Sequence, residues 1–150
     1  MLWVLFLGEL AGKNSRQPFI RIAQILIVLS YFFAGIQKLR SGGISWAWSE
    51  NLAVYIMMNR LTPTSQFLLS LDPIWIRLMA SAALIGELLS PLALIGYRWA
   101  LPFIVFWAAF HIGTNVIFDY HASFLSQIAC LAFFVNWDQI LPLKIKSLIR

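Results

Sequence analysis

Apolar residues run almost unbroken through four stretches, about 19–39, 74–95, 99–118 and 122–137. The first three reach the roughly 20 residues that a bilayer-spanning helix needs, and the fourth is shorter. The runs are continuous, without the alternation of a half-buried strand or a membrane barrel. Lipid offers the backbone no hydrogen bonds, so each run must satisfy its own, which means a helix. The pattern predicts an all-α integral membrane bundle of about four transmembrane helices forming a single domain.

The connections differ in character. "GYRW" (96–99) and "DYH" (119–121) are tight turns between antiparallel neighbours. The segment from Arg40 to Pro73 is long and holds "SWAWSENLAVYIMMNRL", rich in Trp, Tyr and Met. Trp and Tyr favour the membrane–water interface, so an amphipathic interfacial helix or a lid over the span ends is expected in the 40–73 loop. The opening "MLWVLFLGEL" is apolar for only ten residues and has no positive start. Residues 1–17 therefore read as an interfacial segment or the stump of a span, not as a signal peptide. Residues 138–150 form a basic tail.

Composition agrees with the pattern. The chain is 61% hydrophobic and 11% charged, against about 25% charged in ordinary soluble domains. The single cysteine, Cys130, excludes a disulfide framework within the chain. The net charge of +5 is not arranged as a basic patch among exposed aromatics, so nucleic acid is not an expected partner; membrane lipid is. Seven basic residues flank span ends on the side of the N-terminus: Lys13, Arg16, Arg21, Arg98, Lys144, Lys146 and Arg150. Three, Arg40, Arg60 and Arg77, flank the other side. This asymmetry predicts a multi-pass protein of a bacterial inner membrane with both termini cytoplasmic.

Polar residues inside the spans are the candidates for chemistry. Gln24, Tyr31, Gly35 and Lys38 fall near one line on the first helix, a polar stripe with a small residue where another helix can approach. A lysine near a helix end can simply snorkel to the headgroups. A lysine withdrawn from water can instead act as a general base. Glu87 lies too deep in the second span to snorkel, and a carboxylate there costs on the order of 3 kcal/mol even on the gentler insertion scale. It must face the bundle, either in a site or in a structural ion pair. His111, with Thr114 beside it and Asn115 one turn on, makes a polar face in "WAAFHIGTNVIF". Ser123 and Gln127 are one turn apart on the fourth run and read most simply as contacts between helices. Metal binding is not expected: His111 and His121 are ten residues apart on different elements, and no paired-ligand spacing occurs.

"YFFAGIQKL" followed by the tryptophans of "SWAW", then "ELLSPLAL", "YRW" and "FHIGTNVIFDYHASFLSQIACLAFF", resembles the HTTM, or vitamin K-dependent γ-carboxylase-like, membrane domain. The resemblance covers about residues 20–138. It implies that Lys38 corresponds to the base that deprotonates reduced vitamin K, and that Phe110 and His111 match the family's Phe-His element. It implies a lipophilic, quinone-like ligand in an outward-facing pocket. There Lys38, His111 and Glu87 are the candidate catalytic residues, and Tyr31, Gln24, Trp46, Trp48 and Asn115 the candidate ligand contacts. Two departures stand out. The family domain carries several spans before this motif, including a further histidine, and a large lumenal region for protein substrate. The expectation is thus a short or N-terminally truncated member, without full carboxylase activity. The other expectation is a non-catalytic membrane protein: an immunity factor (one branch of the family is linked to immunity against a secreted sporulation-associated toxin), or a subunit of a split protein or oligomer. A weaker resemblance, carried by the Ala-Gly-x-x-Lys-Leu element, is to the DoxX-like four-helix proteins.

Overall fold

The computed structural model describes residues 16–59, 61–119 and 123–135, and every element among them is helical. Helix α1 runs Arg16–Gly42. Three short helices follow, α2 (Ser45–Trp48), α3 (Asn51–Met58) and α4 (Pro63–Ser70). Helix α5 (Pro73–Leu89) tightens into a 3-10 turn over Ser90–Leu94, α6 spans Tyr97–Phe118, and α7 (Ser123–Leu131) ends in a 3-10 turn at Ala132–Phe134.

Three helical stretches are long and apolar enough to cross a membrane: Pro18–Gly42, Pro73–Leu94 and Arg98–Phe118. This marks a membrane protein. The expected fourth span is not seen among the described residues. There the 122–137 run contributes only the nine-residue α7 and its 3-10 turn. Nine residues rise about 14 Å, half the thickness of a hydrocarbon core. The expected N-terminal segment, the basic tail and His121 lie outside the described residues.

Local chemistry sets the breaks. Thr62 caps α4 by accepting from the Ser65 amide, Ser65 returns a bond to the Thr62 amide, and Pro63 occupies the first turn where its missing donor costs nothing. Asp72 and Pro73 start α5 the same way, with the Asp72 carboxylate accepting from the Ile74 amide at 2.8 Å. Pro91 cannot donate to the α-helical ladder, and the chain tightens around it into the 3-10 turn. Gly43, at φ +60°, closes α1 with its amide on the Leu39 carbonyl.

Helix α1 packs on α5, and α6 on α7. Their shared core holds Ile27, Val28, Phe103, Trp107 and Leu131. The 40–73 loop is not one interfacial helix but three short ones that fold back over the bundle. Helices α2 and α3 lie against α5, and α4 lies against α5 and α6. Ile56 of α3 is buried with Ile117 and Phe118, and the Thr62 hydroxyl donates to the Ile117 carbonyl at 2.8 Å. Lid-like packing and outward apolar residues thus occur in the same segment.

Candidate functional site

The stripe on α1 faces the other helices, and three of its members, Gln24, Tyr31 and Lys38, find partners far away in sequence. Lys38 donates to Glu87 Oε1 of α5, forming a buried ion pair. The Lys38 side chain is 25% exposed and that of Glu87 only 6%. The Lys38 amine also sits 4.9 Å from the centroid of the Trp46 ring, a cation–π contact from α2. The lysine therefore turns inward and does not snorkel. The other carboxylate oxygen, Glu87 Oε2, is buried without a hydrogen-bond partner among the described residues.

Close backbone approach makes this meeting possible. A Cβ placed on Gly35 would come within 2.9 Å of the Glu87 Cβ, so only glycine lets α1 come this near α5. One residue before Glu87, a Cβ on Gly86 would run into the ring of Phe106 on α6. Glu87 sits where three helices converge. Ser90, one turn later, donates to the Glu87 carbonyl at 2.7 Å and to the Val28 carbonyl at 3.2 Å.

Two turns from Lys38 on α1, the Tyr31 hydroxyl is hydrogen-bonded to His111 Nε2 of α6 at 2.6 Å. Tyr31 stacks on Trp107, with ring centroids 3.8 Å apart, and Phe103 meets Tyr31 edge-on at 5.6 Å. His111 is buried, and Phe110 and Trp107 stand against its ring. The Thr114 hydroxyl donates to the His111 carbonyl at 3.0 Å. Asn115 Oδ1 and Trp107 Nε1 are buried without hydrogen-bond partners among the described residues.

The remaining candidates lie apart. Gln24 is engaged at the other end of α1: its amide donates to the Phe133 carbonyl at 2.8 Å and its oxygen accepts from Arg21 at 3.2 Å. Arg21 also reaches the Leu94 carbonyl at 2.5 Å. Trp48 is exposed, and the tryptophan over Lys38 is Trp46. Gln127 is exposed on α7. A cavity of about 310 Å³ at the loop end is lined by Leu61, Thr62, Pro63, Thr64, Val116 and Asp119, and Lys38 is not among its walls. No three His, Cys, Asp or Glu residues gather as a metal site would require, among the described residues.

Sequence reasoning missed the aromatic cage around Tyr31. Its signal was present: Trp107 lies one turn from His111, and Phe103 one turn before that, the spacing of a single helix face. Tyr31→Phe is expected to cost about 1–3 kcal/mol by removing the partner of His111 Nε2. Unfolding of the purified variant in bicelles checks this, and a loss within error of zero would show that the bond contributes nothing to stability.

Comparison with family models, curated proteins and solved structures gave no match to this chain.

Proposed function

We propose that the chain is a membrane module of the HTTM, γ-carboxylase-like kind, binding a lipophilic ligand with a polar head at the Lys38–Glu87 centre. The observation that carries this reading is the inward position of Lys38. The lysine of the Tyr-Phe-x-x-Gly-x-x-Lys-Leu element meets the acid of "ELLSPLAL" inside the bundle, and Tyr31 of the same element meets the histidine of "FHIGTN". A polar centre of this kind within apolar helices is what a ligand with one polar end requires.

In this reading Glu87 holds Lys38 as an ammonium at rest. An ammonium is not a base. For Lys38 to act as one, its proton must first pass to Glu87, leaving a neutral amine beside a neutral acid. The amine can then accept a proton from a ligand hydroxyl. Low polarity around the pair favours such neutralisation over separated charges.

The second reading is a non-catalytic membrane protein in which both polar contacts hold helices together. The ion pair itself favours it, because a paired ammonium needs no further role. A hydroquinone separates the two. Reduced menadione is titrated into the purified chain in nanodiscs, with tryptophan fluorescence reporting binding and ultraviolet absorption reporting deprotonation. The first reading expects saturable quenching and the spectrum of the hydroquinone anion. Lys38→Arg should keep its stability but lose the anion, since arginine does not deprotonate in proteins. Quenching that never saturates would leave the second reading standing.

With the 122–137 run as a fourth crossing, the seven-to-three division of basic residues puts both termini in the cytoplasm; with three crossings the termini would lie on opposite sides. A reporter fused after Arg150 that works only outside the cytoplasm should stay silent. An active reporter would mean that the fourth run does not cross or that the orientation is reversed.

A further inference from the structure

The three long helices do not end at one level. The Gly35–Glu87 approach fixes the register of α1 against α5. From that point α1 continues seven residues to Gly42, while α5 extends fourteen residues back to Pro73. At 1.5 Å per residue these are about 10 Å and about 21 Å. The Gly86–Phe106 contact fixes α6 against α5. From there α6 runs twelve residues to Phe118, about 18 Å, ending near the level of Pro73. Helix α1 therefore stops about 10 Å below the loop-side ends of its two neighbours, and helices α2 and α3 fill the step.

The residues that close this step are apolar on their outer side. Ile44 is 81% exposed and Met58 82%. Trp48, Val54, Tyr55 and Met57 are exposed as well. On α3, Val54, Tyr55 and Met58 share one face, turned away from buried Ile56. Ile74 and Trp75, in the first turn of α5 at the top of the step, are exposed too.

The segment also supplies side-chain donors to its own carbonyls. Ser41 donates to Lys38 O at 3.0 Å, Ser45 to Gly42 O at 2.6 Å and Ser49 to Trp46 O at 2.9 Å. Asn51 donates to Trp46 O at 3.3 Å, and Asn59 to Tyr55 O at 2.7 Å. These bonds serve helix-end carbonyls that water would otherwise have to reach.

We propose that α2 and α3 are embedded in the bilayer, their outer face (Ile44, Trp48, Val54, Tyr55, Met58) packed against lipid acyl chains below the headgroups, filling the step left by the short end of α1. The partner is the lipid of the leaflet on the loop side. The depth of the step matches the 5–10 Å to which interfacial helices sink. Under this placement Lys38, one turn before Gly42, lies beneath the headgroups, with the Trp46 ring against its amine. The proposal rests on the membrane reading alone and stands whether or not a ligand binds.

Nitroxide labels on single cysteines at Ile44 and Met58 test it in lipid bilayers, because both side chains are exposed and their replacement disturbs no packing. Phe33, exposed on α1, is the lipid reference, and Arg98, exposed in the first turn of α6 outside the tested segment, is the water reference. Labelling of the unsubstituted chain gives the background from Cys130. At positions 44 and 58, collision with oxygen should exceed collision with a water-soluble nickel chelate several-fold, as at Phe33 and opposite to Arg98. Collision with the chelate equal to that at Arg98 would overturn the proposal by making the segment a hydrated loop. Protection from both reagents would overturn it by showing the face covered by protein, such as a second copy.

Discussion

Lys38→Met is expected to destabilise the folded bundle by about 3–5 kcal/mol, the cost typical of removing one partner from a buried ion pair. The reason lies in what remains. The Glu87 side chain is 6% exposed, its Oε2 already lacks a hydrogen-bond partner among the described residues, and the substitution would strip Oε1 of the Lys38 donor. A carboxylate so placed must stay ionised at great cost or bind a proton. The loss should therefore shrink as the pH is lowered and Glu87 becomes neutral. Lys38→Met combined with Glu87→Leu should recover most of the stability, since an apolar pair of similar volume replaces both charges at little net cost. Glu87→Leu alone should fall between, because the Lys38 side chain is 25% exposed and can turn toward the loop end. Denaturation in bicelles across the double-variant cycle measures all three. Equal, independent losses from the two single changes, adding in the double variant, would mean that the two groups do not act as a pair.

The apolar runs made the three long helices legible, because membrane crossing constrains length and polarity together. Burial of Glu87 and His111 was legible for the same reason: a polar group deep in a span has few places to go. The pairings were not. Lys38 with Glu87 and Tyr31 with His111 join residues 49 and 80 positions apart. They depend on how each helix is rotated and shifted against the next, and composition carries no record of that. Gly35 is the nearest sequence signal: a small residue in the stripe marks a place for approach but does not specify which helix approaches. The loop misled in a different way. Its tryptophans mark the interface, while the cap signals Thr62-Pro63 and Asp72-Pro73 divide it into short helices. Over its described residues the fourth run forms one short helix and a 3-10 turn packed on α6.

Gly35→Ala should cost more than Gly86→Ala, although the added methyl meets the tighter contact at Gly86. The difference lies in what must move. At Gly35 the new Cβ faces the Cβ of Glu87 at 2.9 Å and the Leu88 side chain at 3.2 Å. A Cβ is fixed to its backbone, so α1 and α5 must separate, and the Lys38–Glu87 pair and the core beside it loosen with them. Overpacking of this kind costs about 1–3 kcal/mol, with little local adjustment to reduce it. At Gly86 the obstacle is the ring of Phe106, which can swing away about its own side-chain bonds. That swing disturbs the contacts of Phe106 with Trp107 and Phe110, at ring-centroid distances of 5.2 Å and 6.5 Å, but leaves the helix axes in place. Phe106→Leu should therefore rescue much of the loss in Gly86→Ala, and no single side-chain trimming should rescue Gly35→Ala to the same degree. Unfolding free energies of the two glycine variants and the rescued pair decide the matter. A Gly35→Ala protein as stable as the parent would mean that α1 and α5 do not approach at this point, and the register that places Glu87 opposite Lys38 would fall with it.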